Sequence, residues 1–580
     1  MSFSTNQDSI QTQITNLQNQ NQTWWKEAVV YQIYPRSFKD SNGDGIGDLR
    51  GIIEKLDYIQ SLGIDVVWLN PIYPSPNADN GYDVSDYEGI MPEFGTMQDF
   101  DELLQGLHQR KIKLVLDLVV NHSSDEHKWF QQSKLSREND HRDYYHWWPA
   151  ENGKPPYRDS FFDTEGAWKY DEKTDSYYLH YFSVKQPDLN WENPVVREEV
   201  FKLMRFWLDK GVDGFRMDVI SYISKDTDFP EITQEYLDKN DKGRWGIYYA
   251  KGPHLHEYLQ QMNREVLSKY DIMTVGEGSG VTIEEAMNFV GDDRKELDMF
   301  FHFDGMYIGM LPGKYKQPDP AGWKLVDFKK LYSKWSDLFS DNGWGSIYLG
   351  NHDQPRMLSR WGNDAPEFAA ASSKLLLTFL LTMRATPYIY AGDEIGMGNI
   401  KFDDINDYRD IETLNWYKKL EKDGEDTQKY MEGWKLTARD NSRTPFQWND
   451  QENAGFTSGK PWIKVNPNFS MVNEASQEAD PNSVLNYFKK LIRFRKNNPV
   501  LVYGDYTLLN EDHEQIYAYT RSMEDEKLLV LLNFSAQEAE YTSLQPIDTN
   551  AVLINNCPDL KLGQEKAFLK PYQAVIIKLK

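Results

Sequence analysis

The 580-residue sequence predicts an α/β chain organised as a (β/α)8 TIM barrel, with a subdomain inserted after the third strand and a C-terminal antiparallel β-sandwich domain. Three observations carry that prediction. From Trp24 onward, short β-branched or apolar runs alternate with amphipathic helical stretches, as repeated βα units around a parallel sheet require. Eight such runs precede Tyr503, the number that closes a barrel. Past Tyr503 the helical periodicity stops, and strand-length runs of β-branched and aromatic residues take over.

Residues 1–23 are rich in Gln, Asn, Ser and Thr and lack the basic start and apolar run of a secretion signal, so a flexible lead-in is expected there. The barrel strands are expected at Val29–Tyr34, Val66–Asn70, Leu114–Val120, Gly214–Val219, Ile272–Glu277, Met299–Phe303, Ile347–Gly350 and Tyr388–Tyr390. Helical stretches such as Ile52–Ser61, Val195–Asp209 and Phe328–Phe339 lie between them. The barrel therefore occupies 24–121 and 193–503. Between the third strand and its helix, a stretch full of Trp, Tyr, Asp and Pro reads as an inserted subdomain over 122–192. A long loop on the carboxyl face of a barrel is where binding residues concentrate, so this insertion is expected to wall one side of a site. The segment Gly396–Asn468, rich in Asp, Asn, Gly and Trp, is expected to wall another. The C-terminal β domain, 504–580, contains the runs Gln515–Thr520, Leu528–Asn533 and Ala574–Leu579.

Composition removes several classes of function. With 40% apolar and 14% aromatic residues the chain can bury a large core without cross-links, and global disorder is excluded. Against 64 Lys and Arg stand 90 Asp and Glu, a net charge of −26 that repels phosphate backbones and anionic lipid, so no nucleic-acid partner is expected. The apolar run Leu375–Met383 is half the length of a membrane span, and no membrane segment is expected. Cys557 is the only cysteine, which excludes an internal disulfide and suits a reducing, cytoplasmic compartment. A monomer acting on a small molecule is expected.

In a barrel enzyme the carboxyl ends of the strands carry the chemistry. Here they read Asp117-Leu-Val-Val-Asn121-His122, Gly214-Phe-Arg216-Met-Asp218, Val275-Gly-Glu277 and Asn351-His352-Asp353, which brings carboxylates, histidines and an arginine to one mouth. Cleavage of a glycosidic bond needs two carboxylates in different settings, one ionised and one protonated. Asp218 and Glu277 fit. Arg216, two positions before Asp218, points to the same face and would keep that carboxylate ionised, whereas Glu277 would need desolvation or a nearby anion to stay protonated. Asp353 would bind sugar hydroxyls by charge-assisted hydrogen bonds, with His122 and His352 donating to the same ring.

These four stretches, in this order and spacing, resemble the four motif regions of the α-amylase superfamily of glycoside hydrolases. From Trp24 to the C-terminus the chain is similar to the oligo-1,6-glucosidase group of α-glucosidases. Supporting stretches are Ala28-Val-Val-Tyr-Gln-Ile-Tyr-Pro-Arg-Ser-Phe38, Asp79-Asn-Gly-Tyr82-Asp83, Gln186-Pro-Asp-Leu-Asn190 and Ala438-Arg439-Asp-Asn-Ser-Arg443-Thr-Pro-Phe-Gln-Trp448. The resemblance implies Asp218 as nucleophile, Glu277 as general acid/base and Asp353 as transition-state stabiliser in a retaining double displacement. It also implies that Asp79, Tyr82, His122, Arg216, His352 and Arg439 bind the non-reducing glucose, with Tyr82 as a stacking platform and Phe162, Phe182 and Gln186 lining the pocket. Pairing of Asp79 with Arg439 would close the pocket and make the enzyme exo-acting. A valine at position 219 resembles the members that prefer α-1,6 bonds.

Two further features complete the reading. Asp40-Ser-Asn42-Gly-Asp44-Gly45-Ile46-Gly-Asp48 alternates oxygen side chains with glycines, as a short loop wrapping a hard cation does. Its twelfth position is Gly51 rather than the glutamate of an EF-hand, and it resembles the lone loops of related α-glucosidases. A structural Ca2+ is expected on Asp40, Asn42, Asp44, the Ile46 carbonyl and Asp48, with no organic cofactor. The chain departs from the group at Gly278-Ser279-Gly280, where bulkier residues are usual, and at His302-Phe-Asp-Gly-Met-Tyr-Ile-Gly-Met310. Both lie on the expected leaving-group side. Sucrose isomerases of the group carry an arginine-rich motif near the second stretch, which is missing here. The expected activity is hydrolysis of short α-1,6-linked oligosaccharides, with glucosyl transfer or sucrose isomerisation as the alternative on the same residues. A non-catalytic relative, such as the heavy chain of amino-acid transporters, would need neither Asp218, Glu277 nor Asp353.

Overall fold

The computed structural model describes residues 23–233, 235, 249–312, 314–543 and 545–579, so the expected lead-in over 1–23 lies outside the described residues apart from Thr23. Eight parallel strands follow the predicted places: β1 (Val30–Ile33), β2 (Val66–Leu69), β3 (Lys113–Leu118), β4 (Gly214–Met217), β5 (Met273–Glu277), β6 (Met299–Phe301), β7 (Ser346–Ile347) and β8 (Thr386–Tyr390). Their hydrogen-bonded order is β7-β8-β1-β2-β3-β4-β5-β6. The seam between β6 and β7 has no backbone ladder. Side chains cross it instead, Ser346 Oγ donating to the Phe300 carbonyl at 2.8 Å and Tyr348 Oη to the His302 carbonyl at 2.7 Å.

Strand periodicity sorts the side chains. Val66, Trp68, Val115, Val275 and Met299 form one buried cluster inside the barrel, while the intervening Val67, Leu69, Leu114 and Leu116 join the cluster packed under the helices. One step further along each inward row lie Asn70, Asp117 and Glu277, so the same alternation that fills the barrel delivers polar groups to its mouth. Register aligns them, with Asp117 paired to Arg216 and Arg216 to Val275.

The stretch expected as one helix over Ile52–Ser61 is two, Leu49–Glu54 and Leu56–Leu62, broken at Lys55. The helix after the insertion, Pro194–Asp209, starts where Asn193 caps it and Pro194 presets its first turn. The insertion is built on a three-stranded antiparallel sheet of Trp147–Pro149, Ser176–Leu179 and Trp168–Asp171, and its return meets the barrel through the His122–Asp188 bridge.

At the C-terminus a five-stranded antiparallel sheet faces a three-stranded one. Ile516, Ala518, Leu529 and Leu531 fill the space between them with Tyr541, Ala567 and Leu569. The alternate residues Tyr517, Tyr519 and Val530 turn to the barrel instead. There Tyr519 Oη meets Thr382 Oγ1 at 2.5 Å, at the end of the helix Ala369–Thr382 that holds most of the apolar run noted above. No helix among the described residues is long and apolar enough to cross a membrane.

Candidate active site

Arg216 organises the mouth. Its Nη1 donates to Asp117 Oδ1 at 2.5 Å and to Asp218 Oδ1 at 2.7 Å, and its Nη2 to Glu277 Oε2 at 2.6 Å. All four groups are buried. One guanidinium thus bridges the two carboxyls, Asp218 on Nη1 and Glu277 on Nη2.

Electrostatics separates the pair. Burial pushes Asp218 up to about 7, against the pull of Arg216. Burial also pushes Glu277 up, to about 8, opposed by Arg216 and reinforced by the negative charges of Asp218 and Asp353. The expectation that Arg216 keeps Asp218 ionised therefore needs correcting in degree: three carboxylates compete for one guanidinium, and the charge is spread too thinly to offset desolvation in full. The order still leaves Asp218 as the group that ionises first. Asp117, which sequence reading gave no role, is pushed up to about 6 by burial and fixed by Arg216, Trp68 Nε1 and Tyr82 Oη.

Asp353 lies in the opposite setting. Burial alone would raise it, but His352, Arg439, Arg443 and Arg216 together hold it well below the ordinary carboxylate range. Its Oδ1 accepts from Arg439 Nη1 at 3.0 Å and Arg443 Nη2 at 2.9 Å. Arg443, absent from the expected site residues, was visible only as the position four after Arg439 in a recognisable stretch. Asp410 gave no such signal. It caps the helix Ile411–Lys422 and is the tightest partner of Arg439, accepting from both Nε, at 3.0 Å, and Nη2. The expected Asp79–Arg439 pair is present but looser, at 3.4 Å, and burial pushes Asp79 up to about 7.

The remaining predicted residues converge around these charges. Gln186 Nε2 donates to Asp79 Oδ2 at 3.1 Å and lies 3.2 Å from His122 Nε2. Burial lowers His122 to about 4 and His352 to about 3, so both rings are neutral hydrogen-bonding groups. Tyr82 stacks on His352 with centroids 5.1 Å apart, which covers one of its faces. Arg439 sits over the Phe162 ring at 4.9 Å, and Phe162 meets Phe182 edge-on.

Val219 is not part of a strand as expected. β4 ends at Met217, and Val219 turns into the left-handed region at φ 34°, ψ 40°, an unfavourable place for a β-branched residue. The turn aims its N–H at Glu277 Oε2, 2.9 Å away. Its side chain packs with Phe162, Phe182 and Tyr222. Gly278, after the acid/base candidate, also has a local reason: a Cβ there would stand 2.0 Å from the Phe300 ring. Ser279 Oγ pairs with Tyr222 Oη at 2.5 Å, tying the loop after Glu277 to the loop after Asp218.

The Asp40–Asp48 loop lies apart from the sugar-site residues. Asp40 Oδ1 accepts from the N–H groups of Asn42 and Gly43, and its Oδ2 from Gly45 N–H and Thr457 Oγ1. Asp48 caps the next helix through Gly51 N–H and accepts from Ser41. Asn42 and Asp44 each accept one backbone N–H, from Asp44 and Ile46. The donors are all hard oxygens, the chemistry calcium takes. Among the described residues no three His, Cys, Asp or Glu side chains gather closely enough to hold a metal ion on their own. A cation here would therefore need the Asn42 and Ile46 oxygens as well.

Comparison with known proteins agrees with this geometry. Residues 32–504 match the family described as alpha amylase, catalytic domain, and 506–576 match the maltogenic amylase C-terminal domain. An oligo-1,6-glucosidase of Parageobacillus thermoglucosidasius is 54% identical over 562 residues, covering 96% of this chain and 99% of the relative. One of Bacillus cereus is 52% identical over 564 residues, with coverage of 96% and 99%. Among solved structures, an isomaltulose synthase from Protaminobacter rubrum superposes with a TM-score of 0.92 at 46% identity, covering 96% of this chain and 99% of its own.

Proposed function

The chain belongs to the α-amylase family and is a glycoside hydrolase, and from that premise we propose an exo-acting, retaining α-glucosidase that releases terminal α-1,6-linked glucose from short oligosaccharides. The observation that carries it is the single guanidinium of Arg216, which binds Asp218 through Nη1 and Glu277 through Nη2 and so holds the two carboxyls close together. Retaining enzymes place their carboxyls about 5–5.5 Å apart, and inverting ones leave room for a water.

In this reading Asp218 attacks the anomeric carbon while Glu277 protonates the leaving oxygen. Arg216 and the Val219 N–H both occupy Oε2, which leaves Oε1 to carry that proton. The covalent glucosyl intermediate is then opened by a water that Glu277, now a base, deprotonates. Asp353, held ionised by two arginines, grips hydroxyls of the glucose through the distortion toward the sugar cation. His122 and His352 add hydrogen bonds to the same ring. The Arg439 cluster with Asp79, Asp353 and Asp410 closes the far end, so one glucose fits and cleavage is at the chain end.

Glucosyl transfer or sucrose isomerisation would use the same residues. The higher identity to oligo-1,6-glucosidases than to the isomaltulose synthase favours hydrolysis. The proposal includes a structural calcium at the Asp40–Asp48 loop, a small oligosaccharide as the only partner, and work as a cytoplasmic monomer, supported by the single cysteine and the net charge of −26.

The test is product analysis on isomaltose, maltose and sucrose in parallel, with the anomer of released glucose followed. Faster release of α-glucose from isomaltose than from maltose is expected. New disaccharides as the main product from sucrose would replace hydrolysis by transfer, and β-glucose would overturn the retaining mechanism.

A further inference from the structure

Beside the sugar-site residues lies a buried ion pair that the reaction itself does not use. Lys225, in the loop after Asp218, and Asp188, on the return of the insertion, have fully buried side chains that meet at 3.0 Å. Burying a lysine completely opposes folding unless its protons all find acceptors. Here they do. Nζ donates to Asp188 Oδ2, to Asn121 Oδ1 at 2.9 Å and to the Tyr222 carbonyl at 2.8 Å, so one ammonium joins the insertion, the segment after β3 and the loop after Asp218.

These charges leave Asn121 a single orientation. An ammonium can only donate and a carboxylate can only accept, so the Asn121 oxygen faces Lys225 and its amide nitrogen faces Asp188, whose Oδ2 accepts from Nδ2 at 3.2 Å. The same Nδ2 lies 3.1 Å from His122 Nδ1. Only a bare ring nitrogen can accept there. Burial keeps the His122 ring neutral, with one proton, which therefore sits on Nε2. Gln186 does not contest this assignment. Its Oε1 accepts from Ser183 N–H at 3.1 Å, and the two protons on its Nε2 have acceptors in Asp79 Oδ2 at 3.1 Å and the Tyr82 carbonyl at 3.4 Å, so neither is owed to His122 Nε2.

We propose that Lys225, acting with Asp188 through Asn121, is a positioning residue that holds His122 in the tautomer protonated on Nε2. That nitrogen lies on the side of Gln186 and Asp79, 3.2 Å from Gln186 Nε2. The tautomer thus decides whether His122 donates to a glucose hydroxyl or meets it with a lone pair. This inference rests on the glucosidase reading, in which His122 hydrogen-bonds the bound glucose.

The experiment exchanges the charges instead of deleting them. In the double variant Asn121→Asp, Asp188→Asn, Lys225 keeps a carboxylate partner and side-chain size is conserved, but the group facing His122 Nδ1 now accepts and draws the proton to that nitrogen. Nitrogen NMR spectra of isotope-labelled histidine rings, with His122 identified by its absence from His122→Gln, read the tautomer, and kcat/KM on isomaltose reads its use. The expected result is Nε2–H in the wild type, Nδ1–H in the double variant, and a kcat/KM about ten- to hundredfold lower, as two opposed lone pairs in place of one hydrogen bond allow. A merely structural ion pair would leave both readouts unmoved, because the pair is retained. Nδ1–H in the wild type, an unchanged tautomer in the double variant, or an inverted tautomer with unchanged kcat/KM would each overturn the proposal. Failure of the wild-type protein to release glucose from isomaltose would overturn the glucosidase reading alone, and the spectra, which need no substrate, would still decide the tautomer.

Discussion

Glu277→Gln should abolish turnover and at the same time stabilise the protein, by an amount that depends on pH. The Glu277 carboxyl is raised from 4.5 to about 8, chiefly by burial. Below pH 4.5 the folded and unfolded chains are both protonated there, and the group contributes nothing. Above pH 4.5 the unfolded chain ionises and the folded one does not, so stability falls by about 1.4 kcal/mol per pH unit until the folded group titrates near 8. At pH 7.5 the wild-type protein has lost about 4 kcal/mol through this one residue, against under about 1 kcal/mol at pH 5. The amide introduced by Glu277→Gln is neutral at both values, and its oxygen can still accept from Arg216 and Val219. At about 2.1 cal/mol/K of unfolding entropy per residue, the whole chain converts this gain into a Tm rise of about 3 °C at pH 7.5 and under about 1 °C at pH 5. Scanning calorimetry of both proteins at the two pH values reads the difference. An equal Tm difference at both would refute the argument, because it would place the effect in packing rather than in the buried proton.

The pH dependence of kcat/KM for isomaltose should be a narrow bell, rising through about 7 as Asp218 ionises and falling through about 8 as Glu277 loses its proton, the two limbs belonging to the coupled pair. A flat profile from pH 6 to 9 would contradict that separation. Val219→Thr, nearly isosteric in the same strained turn, should move the isomaltose-to-maltose preference by roughly tenfold or less, within the 1–3 kcal/mol such a change can supply. An unchanged ratio would remove Val219 from selectivity. Asp410→Asn should lower stability by about 3 kcal/mol and raise KM, because it leaves the buried Arg439 without its tightest partner. Loss of kcat with KM intact would place Asp410 elsewhere in the mechanism. Chelation of calcium should lower Tm by a few degrees, about 2.7 kcal/mol being the linkage at a hundredfold excess over Kd, and added calcium should restore it.

Much of the barrel was legible because its signal is local. Val66 and Trp68 face in and Val67 and Leu69 face out, and this alternation is written in consecutive residues. The same periodicity carries Asp117 and Glu277 to the mouth, which is why strand ends were the place to look for candidate catalytic carboxylates. What the sequence hid is contact between distant segments. Asp410 becomes the anchor of Arg439 only once the helix it caps is docked at the rim, and nothing in the sequence around Asp410 points to residue 439. Val219 misled in the other direction. A β-branched residue after a strand reads as more strand, whereas here it makes a left-handed turn that puts its N–H on Glu277 Oε2.

That turn shows how the site is held together. Val219 accepts backbone strain, and Arg216, Asp117, Asp218 and Glu277 crowd three buried carboxyls onto one guanidinium. Both arrangements oppose folding, and neither could persist on a loose scaffold. They sit where the β3–β4 and β4–β5 ladders fix the backbone on either side of Arg216. Asp353, by contrast, rests on groups from beyond the barrel strands, with Arg439 and Arg443 reaching it from the segment after β8. Glu277 is thus mounted on β5 and Asp218 one residue past the end of β4, whereas Asp353 is secured by loop residues. On the proposed mechanism, chemistry then belongs to the strand ends around Arg216, and the grip on the glucose to the arginines that reach in from the rim.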